Sequence, residues 1–163
     1  MKQLLMLLLA ALALVAGASA QEKPVPYGNN PSAGKFYEVR GLKMYCEEYG
    51  AGMPLLMIHG NGGSIHAFAH NIPCFVAKYR VIAADSRSQG KSIDPGPELT
   101  FEMMADDEAA LLDTLRIKAA YVLGWSDGGI VALALAIKRS VKRKRKERLL
   151  IFYCLLDPDC GMR

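Results

Sequence analysis

The sequence predicts an α/β fold on a mostly parallel sheet, entered through an antiparallel N-terminal hairpin. Three observations predict it. Leu55-Leu56-Met57-Ile58, Arg80 to Ala84 and Ala119 to Leu123 are short apolar runs without alternation, the pattern of strands covered on both faces. Each is followed by a segment of helical character, giving three strand–helix units within about 85 residues, the arrangement that right-handed crossovers generate. The first and third runs end in glycine-rich turns and the second in Asp85 and a polar loop, where a parallel sheet exposes its carboxyl ends.

The elements follow in order. Met1 to Ala20 reads as a secretory signal peptide: Lys2, an apolar run from Leu4 to Ala16 shorter than the roughly 20 residues that span a bilayer, and Ala18-Ser19-Ala20 as the cleavage site. The mature chain then begins at Gln21, in a secreted or periplasmic setting, with residues 21–35 a Pro-, Gly- and Asn-rich leader. Phe36 to Arg40 and Lys43 to Glu48 form the hairpin, and Gly50 to Pro54 turns into the first buried strand. Ser64 stands where it would cap a helix over Ile65 to Lys78, kinked or broken near Pro73. Thr100 caps a second helix, Phe101 to Leu115. There Phe101, Met104, Ala105, Glu108, Leu111, Leu112 and Leu115 recur at helical spacing, with acids in the first half where the helix dipole favours them. A third helix runs from Gly129 to about Ile137, and Leu149 to Leu156 suits one more strand. Residues 36–137 are thus the folded body and residues 138–163 a basic tail.

Charge is unevenly distributed. The net charge of +4 conceals a mildly acidic body, with ten Lys and Arg against thirteen Asp and Glu between Gln21 and Ile137. Lys138 to Arg148 alone holds eight basic residues and one acid. That block lacks aromatic residues for base stacking, which excludes specific nucleic-acid recognition and leaves weak contact with anionic surfaces. The four cysteines, Cys46, Cys74, Cys154 and Cys160, allow three pairings that their spacing does not distinguish. No metal-ligand spacing appears, so no metal and no cofactor is expected. His66 and His70, one turn apart without an intervening HExxH glutamate, suit packing or surface positions.

Chemistry concentrates in two turns. Gly124-Trp125-Ser126-Asp127-Gly128 is a GxSxG sequence between a strand and a helix, a setting that projects the serine hydroxyl from the sheet edge. His59-Gly60-Asn61-Gly62-Gly63 follows an earlier strand and brings backbone amides to the same edge, without the spacing of a phosphate-binding loop. His59, at the strand end, is expected to order that loop. In the catalytic reading Ser126 is the nucleophile, and the amides of Asn61 and Asp127 stabilise the oxyanion.

Together with Asp85-Ser86-Arg87-Ser88-Gln89-Gly90-Lys91-Ser92, which is similar to a D-x-R-x-x-G-x-S segment, these turns resemble the α/β-hydrolase superfamily over Phe36 to Ile137, particularly its small esterase, lipase and peptidase-like members. The resemblance implies a partial α/β-hydrolase sheet, nucleophilic Ser126, oxyanion positions at Asn61 and Asp127, and a bracing role for the loop of Asp85 and Arg87. It also implies a secreted serine hydrolase acting on an ester, amide or similar acyl bond of a small molecule. Relatives place an acid and then a histidine beyond the elbow helix, whereas this chain has no histidine after His70, and Asp157 and Asp159 stand close to its end. The expectation is therefore a triad histidine missing, with catalysis incomplete, and a premature stop or frameshift near Lys138 to Glu147. The competing reading is a noncatalytic binding fragment with a basic tail, prone to self-association through exposed core.

Overall fold

The computed structural model describes residues 24–93, 96, 99–141 and 148–153, the stretches 139–141 and 148–153 by their backbone alone. The expected signal peptide, Met1 to Ala20, the connector 142–147, Asp157, Asp159, Cys154 and Cys160 lie outside the described residues.

The expected fold class is present: six strands in the order β1-β2-β4-β3-β5-β6. β1 (Gly34–Val39) and β2 (Leu42–Tyr49) form the antiparallel hairpin, and β2 also pairs antiparallel with β4 (Tyr79–Ala84). β4, β3 (Met53–Ile58), β5 (Ala119–Gly124) and β6 (Arg148–Tyr153) run parallel. The hairpin turn is Arg40-Gly41, with φ of 50° and 79°, the left-handed pair that a two-residue hairpin requires. An arginine accepts that conformation where its guanidinium meets Asp106 at 2.8 Å and Asp107 at 3.5 Å.

Strand residues alternate between two cores. Leu56, Ile58, Ile82, Ala84 and Val122 face one side, covered by α2 (Phe101–Thr114) and α3 (Asp127–Val141). Leu55, Met57, Val81, Ala83 and Leu123 face the other, against Ile65, Phe68 and Ile72. Burial on both faces is why these strands carry no polar alternation.

The helix expected over Ile65 to Lys78 is instead a 3-10 turn (Ile65–Phe68) and a short α1 (Ile72–Phe75), with Pro73 in the first turn of α1. Proline has no amide to donate and its ring crowds the carbonyl four residues back, so the segment breaks before it. Ser64 makes no side-chain cap; the Ile65 amide donates to Asp85 Oδ1 at 2.8 Å. Thr100 does cap α2, its Oγ1 accepting from the Met103 amide at 3.1 Å. The acids of α2 serve partners more than its dipole. Asp107, fully buried, receives Arg87 through Nε at 2.6 Å and Nη2 at 2.8 Å, and Asp106 binds Arg40 and Lys138. α3 starts directly after Ser126 and runs into the basic block as far as Val141. Cys46 is a buried free thiol, whereas Cys74 is disulfide-bonded.

From β3 the chain crosses to β4 on one side and later returns to β5 on the other. The carboxyl ends of β3 and β5 therefore flank the point where the winding reverses, the crevice in which open α/β sheets place their sites.

Candidate active site at the carboxyl ends of β3 and β5

Ile58 and Gly124 are register partners at the ends of β3 and β5, so the two glycine-rich turns leave the sheet side by side. The Trp125 amide donates to the Ile58 carbonyl at 3.0 Å, extending the pairing one residue before the chain turns sharply. Ser126 carries the turn with φ of 55°, a left-handed conformation that costs a non-glycine residue about 1–3 kcal/mol. The Gly128 amide then donates to Trp125 O at 2.9 Å and the Gly129 amide to Ser126 O at 2.8 Å, opening α3.

The glycines on either side are steric necessities. A β-carbon on Gly124 would collide with the Gly128 carbonyl, and one on Gly128 with the carbonyl of Ile58. On Gly60 it would lie 3.1 Å from Ser126 Cβ, which measures how closely the β3 turn approaches the serine. Ser126 itself is exposed, and no hydrogen bond among the described residues engages its hydroxyl.

The β3 turn is organised by His59, which is 2% exposed. Its Nδ1 lies 2.8 Å from Gly60 O, and its Nε2 lies 3.0 Å from the Ser86 amide. Because the Ser86 amide can only donate, Nε2 is the acceptor and Nδ1 carries the proton, a neutral tautomer. Burial lowers the His59 pKa from its ordinary value, against the opposing pull of the Gly60 carbonyl and the Asp85 charge. The Gly63 amide also donates to Gly60 O, at 3.0 Å. With that carbonyl held from two sides, the planar trans peptide directs the Asn61 N–H the opposite way.

Neither the Asn61 nor the Asp127 amide has a hydrogen-bond partner among the described residues. Both residues line one cleft of about 470 Å³, with Gln89, Leu99, Thr100, Phe101, Glu102 and Met104 forming the rest of its wall. Two unspent donors beside an exposed, sharply turned serine are the parts that acyl transfer uses.

The expectation that the site lacks a histidine is corrected. His59 is present and buried at the end of β3, and it hydrogen-bonds Ser86 in the loop after β4. Its bonds to Gly60 and Ser86 also perform the loop-ordering expected of it. Asp85, buried, accepts from the Ile65 amide and, at 2.7 Å, from the Lys91 amide; burial raises its pKa despite those two bonds. Asp85 thus ties its own loop to the segment after the β3 turn, and Arg87 ties the loop to α2. His66 is exposed, its Nδ1 3.3 Å from Tyr27 O, and together with His70 it borders a depression on the opposite face of the sheet. The described residues contain no cluster of three or more metal-ligating side chains.

Sequence reasoning missed the cleft wall. Gln89, Leu99 and Met104 come from two separate segments, and no local spacing marks their convergence. Glu108 was visible as the one acid within the apolar stripe of α2, and it is 1% exposed.

The profile of the alpha/beta hydrolase fold matches residues 53–146. A 2-hydroxymuconate semialdehyde hydrolase of Pseudomonas sp. (strain CF600) is 35% identical over 121 residues, 72% of this chain and 43% of that protein. Among solved structures, a hydrolase from Pseudomonas aeruginosa PA01 superposes with a TM-score of 0.66 at 29% identity, covering 75% of this chain and 46% of that one. An epoxide hydrolase from Vigna radiata superposes with a TM-score of 0.65 at 26% identity, covering 76% and 40% respectively. The chain spans less than half the length of each of these proteins.

Proposed function

The chain belongs to the α/β-hydrolase fold family, and on that premise we propose that it hydrolyses an ester- or amide-type acyl bond of a small molecule through Ser126. The observation that carries this reading is the exposed Ser126 at φ 55°, adjoining Asp127 and approached by the β3 turn that holds Asn61, two residues whose amides are unengaged and which border one cleft. In this reading Ser126 Oγ adds to the acyl carbon, its hydroxyl proton passing to solvent at this exposed position, and the carbonyl oxygen becomes an oxyanion. The Asn61 and Asp127 N–H groups donate to it, and its collapse breaks the acyl bond, the departing oxygen or nitrogen taking a proton back from solvent, to leave an acyl-serine that water cleaves to the free acid. His59 acts as a positioning residue, holding the Gly60 carbonyl so that the Asn61 amide points at the developing charge. The reaction draws on no cofactor.

Incubation of the full chain with a fluorophosphonate tests this. The expected result is one covalent adduct on Ser126, absent from Ser126→Ala. Equal labelling of Ser126→Ala, or no adduct on the unsubstituted chain, overturns the reading.

The setting follows from the N-terminal segment. Met1 to Ala20 directs export, so the secreted or periplasmic form starts at Gln21, and N-terminal sequencing of exported protein checks that start. Two contacts accompany it. The basic block from Lys138 gives weak, salt-sensitive attachment to anionic surfaces. Ile130, Leu133 and Ile137 form an exposed apolar row at helical spacing along α3, which favours self-association, and Leu133→Lys is expected to lower the molar mass seen by light scattering.

A further inference from the structure

The turn after β3 carries an asparagine at its apex, and of the four asparagines in the chain it alone has both its side chain and the amide that follows it unengaged among the described residues. Asn61 is exposed. Gly62 after it is exposed as well, and a β-carbon placed there would meet nothing within 4 Å. The bond that closes the turn runs from the Gly63 amide to Gly60 O and engages neither polar atom of the Asn61–Gly62 peptide.

The other three asparagines are held or blocked. Asn29 Oδ1 accepts from Lys91 Nζ at 2.8 Å, and the amide that follows it, that of Asn30, donates to Glu47 Oε1 at 2.8 Å. Asn30 Oδ1 accepts from the Ser32 amide at 3.1 Å and the Ser32 hydroxyl at 2.6 Å, and Pro31 after it has no amide proton to lose. Asn71 is 7% exposed and precedes the branched, fully buried Ile72. An asparagine reacts with its own backbone only where its side-chain carbonyl carbon can meet the next nitrogen, and that condition separates Asn61 from the rest.

We propose that Asn61–Gly62 is a self-modification site, at which the asparagine side-chain amide is lost through a cyclic imide and the carboxylate left behind disables the oxyanion position. The Gly62 nitrogen gives its proton to hydroxide and bonds to the Asn61 side-chain carbonyl carbon. The bond from that carbon to the side-chain nitrogen breaks, and the nitrogen takes a proton from water and leaves as ammonia. Water then opens either carbonyl of the ring, giving aspartate or isoaspartate at position 61. Glycine favours the step because no side-chain atom crowds its nitrogen and its backbone turns freely into the ring. Both products place a negative charge on the residue whose N–H donates to the oxyanion, where like charges repel. Isoaspartate also reroutes the main chain of the turn through the former side chain. The loss of activity rests on the reading of Ser126 and Asn61 as acyl-hydrolase parts, whereas the modification itself does not.

The test incubates the full chain in mildly alkaline buffer, captures the active fraction with a biotinylated fluorophosphonate, and digests the labelled and unlabelled pools for mass spectrometry. Conversion at Asn61 is expected to outrun that at Asn29, Asn30 and Asn71 by about tenfold or more, and to slow clearly in Gly62→Ala, whose methyl crowds the attacking nitrogen. Labelled molecules are expected to be depleted in converted residue 61. No conversion at Asn61, conversion no faster than at the other three, an unchanged rate in Gly62→Ala, or equal conversion in the two pools would overturn the proposal. The comparison among the four asparagines needs no substitution, so a variant that misfolds does not shield the proposal from failure. Failure of the hydrolase reading appears separately, as absence of the adduct from freshly prepared chain, and the mass readout at Asn61 still decides the modification.

Discussion

The imidazole of His59 holds the carbonyl oxygen of Gly60 at 2.8 Å, and its second nitrogen accepts the Ser86 amide at 3.0 Å. One buried ring therefore joins the end of β3 to the loop after β4 and, through a single planar peptide, aims the amide of Asn61. His59→Phe fills the same space without either bond. It is expected to slow Ser126 labelling about tenfold or more, less than the 10²–10³ attached to outright loss of an oxyanion donor. His59→Asn, which keeps a donor, is expected to recover part of that rate; equal rates in all three proteins would refute the positioning role.

The same ring has a pH signature. Burial lowers its pKa, so the folded loop needs the neutral form, whereas the unfolded chain binds a proton near the ordinary value of 6.5. Stability from this group is complete above that value and declines as pH falls below it. Ser126 labelling is expected to weaken on the acid side before global unfolding, with the loop amides of residues 60–63 exchanging faster by hydrogen-exchange mass spectrometry. A labelling rate flat down to the unfolding pH in the native protein would contradict this.

Gly128 sets the spacing of the elbow, since a β-carbon there would meet the Ile58 carbonyl. Backbone, unlike the end of a flexible side chain, cannot yield cheaply. Gly128→Ala is expected to cost about 3 kcal/mol in urea unfolding, at the upper end for an added methyl in a packed site, and to abolish labelling. Gly62→Ala provides the contrast. Its φ of 67° strains the turn, but a β-carbon there meets open space, so a loss nearer 1 kcal/mol is expected.

These contrasts show what a sequence makes legible. The three parallel strands and both glycine-rich turns could be read directly, because two-sided burial removes polar alternation and sharp turns demand glycine, and both leave local marks. Ser126, Asn61 and Asp127 were singled out as site candidates by the same logic. The loop-ordering part of His59 was legible from its place at the strand end, whereas the two backbone groups that meet its nitrogens depend on the register between β3 and β4. The break near Pro73 was one of the two outcomes that the proline allowed, whereas Ser64 read as a cap because the competing Asp85 carboxylate arrives from 20 residues away. Gln89 left no mark at all: its buried side-chain oxygen, which accepts no hydrogen bond, becomes unusual only in its surroundings.

The Arg87–Asp107 pair braces the Gln89 loop against α2. Its two bonds of 2.6 and 2.8 Å are buried, with the arginine side chain 9% exposed and the aspartate fully enclosed. Removing Arg87 leaves the buried Asp107 with only the longer Arg40 contact at 3.5 Å, so Arg87→Ala is expected to cost about 3 kcal/mol, the low end for a broken buried pair. Arg87→Met with Asp107→Leu, which removes both charges, is expected to recover most of that loss. If chemical denaturation shows the single and double variants equally unstable, the bracing belongs to side-chain packing and not to the ion pair.

Glu108 carries the most perturbed of the carboxyl groups on α2. Burial, reinforced by the neighbouring Asp107 charge, pushes its pKa up to about 8 from an ordinary 4.5, and its Oε2 has no hydrogen-bond partner. The folded protein therefore keeps this proton through neutral pH, while the unfolded chain releases it near 4.5. Between those values the native state binds the extra proton, so stability from this group falls as pH rises across the window and levels off above about 8. Glu108→Gln preserves shape and removes the titration. It is expected to be close to wild type at pH 4.5 and clearly more stable at pH 8, with one proton less in the slope of stability against pH. Urea unfolding at half-unit pH steps reads that slope directly, and parallel curves for the two proteins would show that the Glu108 carboxyl is ionised in the native state after all.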